Sequence, residues 1–150
     1  MSTSYQRTAN LLGALSLALC ERVGDASEPA ALVTLLHHPG GSVDDLARAL
    51  GLTHSGAVRL VDRLAASGLV RRTSGERGRT LALRLTAAGE GKARDVLARR
   101  QQALEPLLAE LDPSECTALS ALCDRLLRAL TTDRSSARHI CRLCDEAATG

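Results

Sequence analysis

Residues 46–89 read LARALGLTHSGAVRLVDRLAASGLVRRTSGERGRTLALRLTAAG, and this stretch decides the fold. Ala57, Leu60, Val61 and Leu64 recur at i, i+3, i+4 and i+7, one apolar helical stripe facing inward. Ser55, Val58, Arg59 and Asp62 form the opposite stripe. Thr53 is the natural N-cap of this helix, and Ser67-Gly68 ends it. Gly51 separates it from a shorter helix, DDLARAL, whose start at Ser42-Val-Asp-Asp45 has the acid-after-hydroxyl spacing of a capping box. A short helix, a glycine turn and a second helix with a polar outer face spell a helix-turn-helix. Beyond it, Leu69-Val-Arg-Arg72 is short and β-compatible, and Leu81-Ala-Leu-Arg-Leu85 alternates with three Leu on one face. The glycine-containing stretch Thr73 to Thr80 joins them, so the expectation is a β-hairpin, placed where a wing would be.

Working outward, an apolar helix is expected over 8–23 and another over Ala30 to His38, stopped by Pro39-Gly40-Gly41. After the hairpin, a long helical pattern runs from Thr86 to Leu111, with Ala93, Val96, Leu97, Leu104, Leu107, Leu108 and Leu111 on its buried side and Pro106 expected to bend or interrupt it. Asp112-Pro-Ser-Glu115 then begins a new helix, with an N-cap, a proline in the first turn and an acid at the third position. Its apolar stripe is Cys116, Leu119, Cys123, Leu126, Leu127 and Leu130.

Composition agrees with a mostly helical chain. Tyr5 is the only aromatic residue in 150, so the core must be built from Leu, Ala and Val. The run Leu11 to Cys20 is too short to span a bilayer, and Leu19 stands where a lipoprotein signal needs a small residue. It reads as a buried or dimerising helix of a cytoplasmic protein with no membrane partner. Net charge is only +2, yet Thr53 to Arg84 carries seven Arg against Asp62 and Glu76, a local balance of +5. A basic centre between acidic or neutral flanks is a nucleic-acid footprint.

The stretch over 46–89, with two helices before it and two after, resembles the winged helix-turn-helix of MarR-family transcription regulators. The most specific parts are Arg59-Leu-Val-Asp-Arg-Leu64, Gly68-Leu-Val-Arg71, and Leu85-Thr86 with Gly89. The fold class expected is mostly α with a small β-hairpin wing. It forms a single domain over 1–150, with a winged lobe over 28–89, dimerisation helices over 5–25 and 90–131, and a cysteine-containing tail over 132–150. The resemblance implies a homodimer whose two wings straddle a palindromic site on double-stranded DNA. One departure stands out: where the family commonly has Arg-Asp-x-Arg in the wing, this chain has Glu76-Arg77-Gly78-Arg79, with acid and base exchanged.

Expected DNA contacts come from the recognition helix and the hairpin: Thr53, His54, Ser55, Val58, Arg59, Arg63, Arg72, Arg77 and Arg79. Arg59 has the reach for a bidentate guanine contact, Val58 for a thymine methyl, and His54 and Ser55 for phosphate. Arg79, with Arg77, suits a narrow minor groove. Arg63 has Asp62 and Glu76 as rival partners. A repressor released by a small-molecule effector is the leading reading, its pocket aliphatic with Arg, His or Tyr5 as polar anchors. His37-His38 fit ligand anchors or metal ligands, but a pair ending a helix before Pro-Gly is more often a partner of the helix C-terminus.

Two other readings compete. One is a metal- or thiol-sensing regulator using the tail, where His139, Cys141 and Cys144 are metal candidates and Cys141 with Cys144 a redox pair. Ile140, Leu143 and Cys144 also fit one face of a short helix docking on the dimer. The other reading is a protein-interaction module with no DNA role. No cofactor is expected, and no nucleophile–base pair, phosphate loop or paired carboxylates suggest an enzyme. Cys20, Cys116 and Cys123 lie on apolar stripes and are expected to pack as small hydrophobes.

Overall fold

The computed structural model describes residues 3–75 and 81–148. In chain order the elements are α1 Thr3–Val23, α2 Ser27–His37, α3 Val43–Leu50, α4 His54–Ala66, β1 Val70–Ser74, β2 Leu81–Leu85, α5 Ala87–Leu108, α6 Pro113–Leu130 and α7 Arg134–Ile140. Local signals set most of the boundaries. Ser42 and Asp45 close a reciprocal capping box on α3, and Gly51 ends that helix in the left-handed region at φ 66°. Thr53 caps α4, and Asp112 with Glu115 closes a second box on α6. Pro106 lies inside α5 only two residues before its end, so the helix runs through it to Leu108.

The two strands pair antiparallel from Val70↔Leu85 to Ser74↔Leu81. The far edge of β2 is also covered: Gly40 N–H donates to Leu83 O at 2.8 Å and Leu83 N–H to Gly41 O at 2.9 Å. The turn after α2 therefore covers the outer edge of β2 at its central residue, Leu83. Leu83 and Leu85 are buried, whereas Leu81 is 58 % exposed because the strand has left the core by its first residue.

One core organises the lobe. Leu32, Val33 and Leu35 of α2 meet Leu46 and Leu50 of α3, Leu60, Val61 and Leu64 of α4, and Leu69, Val70, Leu83 and Leu85 of the hairpin. The start of α5 is locked onto it. Thr86 Oγ1 accepts from Gly89 N–H, caps the helix, and donates to Gly68 O at 2.6 Å. A Cβ on Gly89 would fall 2.0 Å from Leu69 O, so only glycine allows this approach. Ala93 is fully buried, and Val96 and Leu97 pack against the core.

The outer helices, expected to serve dimerisation, leave their apolar stripes uncovered within the single chain. The α6 stripe is not buried within the chain: Leu119, Leu126, Leu127 and Leu130 are exposed, Cys123 is exposed and Cys116 only half-buried. Leu107 and Leu108 of α5 are exposed too, Leu104 and Leu111 are half-buried, and Cys20 is exposed. The periodicity is real, but α1 and α6 bury none of their residues against the lobe. The tail is the reverse case. α7 packs on α3, and Leu143 enters the core with only 8 % exposure. A short docking helix was one of the readings open for it, and here it closes on the helix-turn-helix of its own chain.

Candidate nucleic-acid interface

α4 shows one face to the core and the other to solvent, as its period dictates. With Ala57, Leu60, Val61 and Leu64 buried, Ser55, Arg59, Asp62 and Arg63 stand exposed and Val58 half-exposed. Thr53 accepts from Gly56 N–H at 3.1 Å, which fixes the first turn and directs its remaining free N–H groups outward. At 13 residues α4 is about 20 Å long, a rod of the size a major groove admits. Arg59 and Arg63 make no hydrogen bond or ion pair among the described residues, so both guanidinium groups are available.

Two side-chain contacts with carboxylates hold this helix, and neither was read from the sequence. His54 Nδ1 lies 2.6 Å from Asp44 Oδ1, joining the start of α4 to the first turn of α3. Arg72 Nη2 donates to Asp62 Oδ1 at 2.6 Å, joining strand β1 to the outer face of α4. Arg72 and His54, both expected DNA contacts, each have a carboxylate partner here, and Arg72 joins the hairpin to α4. The rival expected for Arg63, Asp62, is taken by Arg72. Each pair spans ten residues across a turn, a spacing with no periodic signature. Arg77 and Arg79 lie outside the described residues, as does Glu76.

Asp45, one residue from Asp44, completes the scaffold. The Ser42 backbone N–H, at 2.9 Å, holds its carboxyl below the ordinary value of 3.8 despite partial burial. The carboxylate therefore remains charged at the N-terminus of α3, where the helix dipole favours it.

His37 and His38, at the end of α2, meet the tail. His38 Nε2 lies 2.8 Å from Glu146 Oε1, and Glu146 N–H approaches His37 Nε2 at 3.5 Å. His139 Nδ1 lies 3.0 Å from Ala49 O, which commits one of its nitrogens to α3. Among the described residues no three His, Cys, Asp or Glu side chains are grouped to hold a metal ion. A hollow of about 230 Å³ opens elsewhere, between the end of α1, the start of α2 and α5, lined by Arg22, Pro29, Val96, Arg99, Arg100 and Leu143 among others. No described helix is long and apolar enough to cross a membrane.

Residues 25–80 match the family model of the MarR family. Among solved structures, the chain is similar to a MarR family protein from Bacillus stearothermophilus, with 24% identity, a TM-score of 0.79, and 88% of this chain and 99% of that chain covered. It is also similar to MepR, a transcription regulator of the Staphylococcus aureus multidrug efflux pump MepA, at 19% identity and a TM-score of 0.69, covering 87% of this chain and 100% of that one. A third likeness is to the PcaV transcriptional regulator from Streptomyces coelicolor, solved in complex with its natural ligand, at 25% identity and a TM-score of 0.56, covering 86% and 95%. Comparison with curated proteins gives no match.

Proposed function

We propose that the chain is a homodimeric regulator of transcription of the MarR type that binds a palindromic duplex site, a reading supported by the match of residues 25–80 to the MarR family model. The observation that carries this reading is the outer face of α4: a capped helix presenting Ser55, Val58 and the unengaged Arg59, held against an arginine-bearing hairpin. Thr53, His54 and Ser55 sit at the helix start, where backbone N–H groups and short polar side chains meet phosphate. Arg59 and Val58 read base edges one turn further in, and Arg63 completes the face toward the backbone. Arg77 and Arg79 are assigned to the neighbouring minor groove on the sequence alone. The chemistry is recognition rather than catalysis.

The reading extends to repression relieved by a small organic acid. The hollow beside Arg99 and Arg100 supports it, because it combines an apolar wall from Pro29, Val96 and Leu143 with cationic rims. PcaV, a transcriptional regulator solved with its natural ligand, lends weight by likeness to the presence of a ligand site.

Selection of bound fragments from a random duplex library tests the central claim. Enrichment of an inverted repeat, with affinity falling steeply as salt rises, is the expected result. Recovery of no sequence, or binding that ignores salt, would sink it.

A further inference from the structure

We propose that Cys141 and Cys144 are an internal dithiol that a low-molecular-weight disulfide converts to a cystine, fastening the C-terminal segment onto the helix-turn-helix. The pair sits in one tight turn: Cys144 N–H donates to Cys141 O at 2.8 Å, three residues apart. A hydrogen-bonded turn of that kind brings the two Cα atoms within about 7 Å, the upper limit a disulfide bridges. Both thiols are free and half-buried, and that of Cys144 contacts Cys141. Cys20, Cys116 and Cys123 lie on other helices, with no comparable partner in sequence.

The turn is set between two anchors. On its N-terminal side His139 meets Ala49 O at the end of α3, and its ring covers Gly51, where an added Cβ would come within 3.0 Å of it. Within the turn Leu143 enters the core, and on its C-terminal side Glu146 reaches His38 just after α2. A bond between Cys141 and Cys144 closes the loop that carries Leu143. It therefore restrains the plug in its seated conformation and, through His139, the last turn of α3. Leu143 also walls the hollow beside Arg100, so the fastened segment touches both the helix-turn-helix and that hollow.

The chemistry is two successive exchanges. Cys141, as thiolate, attacks one sulfur of R–S–S–R; the old S–S bond breaks, and RS⁻ leaves and takes up a proton. Cys144 then loses its proton and attacks the Cys141 sulfur of the mixed disulfide, expelling a second RS⁻, which is also protonated. The protein gives up two electrons and two protons, and R–S–S–R becomes two R–SH. The order follows from environment: burial and the adjoining Cys141 thiol push Cys144 up to about 11, which leaves Cys141 to attack first.

The test uses the full chain, fully reduced and then incubated with oxidised glutathione as the probe. Peptide mapping should show the 141–144 cross-link with three of the five thiols still free. Amide exchange over 137–144 should slow by roughly tenfold on oxidation, as expected when a short loop is closed in its native shape. In Cys144→Ser the glutathione adduct should stop at Cys141. Preferential oxidation of Cys20, Cys116 or Cys123, links between chains, or a cross-link that leaves exchange unchanged or faster would overturn the proposal. None of these readouts requires DNA, so failure here is separate from failure of the DNA-binding reading.

Discussion

Three single residues do work that can be measured separately. Thr53 satisfies the Gly56 N–H and starts α4, so Thr53→Ala should lower stability by about 1 kcal/mol in a denaturant titration. Arg59 has no partner among the described residues and lies outside the core, so Arg59→Ala should leave stability nearly unchanged. It should instead flatten base preference at one position of each half-site, by about 1–3 kcal/mol in competition gel shifts. Gly89 differs from both, because a methyl there collides with the Leu69 carbonyl rather than with a movable side chain. Gly89→Ala should cost about 3 kcal/mol by forcing α5 off the hairpin, read as a fall in Tm. The sequence marked Gly89 only as part of a family resemblance; the carbonyl that explains it is twenty residues away. Thr53, in contrast, was legible because a cap and its N–H lie within one turn.

Among the elements, the same distinction between local and distant signals separates what was legible from what was not. The boxes at Ser42 and Asp112, the inward stripe of α4 and the hairpin all arise from neighbours in sequence, and they appear where the pattern put them. The Arg72–Asp62 brace, the His54–Asp44 pair and the docking of α7 on α3 are choices among many chemically equal partners, which periodicity does not encode. The brace gives a test of its own. Arg72 and Asp62 are partly solvent-exposed, so the pair contributes at most about 1 kcal/mol to stability. It joins the hairpin to α4, the helix proposed to enter the groove, and so would set the angle between them. Arg72→Ala and Asp62→Asn should each weaken DNA binding several-fold with little change in Tm. The double variant should be no worse than the weaker single one, because both remove the same constraint. Additive losses in a binding titration would instead make Arg72 an independent phosphate contact.

At the scale of the molecule, the lobe is self-sufficient and the outer helices are not. Leu11, Leu12, Leu15 and Leu17 on α1 and Leu119, Leu122, Leu126, Leu127 and Leu130 on α6 are each at least 37 % exposed. Contiguous apolar stripes of this size on a folded chain mark an interface. The stripe on α6 has the helical period of a buried face although nothing within the chain covers it, and a second copy is the occupant that the proposed function requires. Leu122→Glu with Leu126→Glu should therefore yield a monomer by sedimentation velocity. The lobe should stay folded, because neither leucine belongs to its core. A monomer engages one half-site and forfeits the advantage of linked binding, so affinity for the palindrome should drop by about 10² or more. Affinity for an isolated half-site should barely change. A variant that remains dimeric, or a monomer that binds the palindrome as tightly as the parent, would place the interface elsewhere.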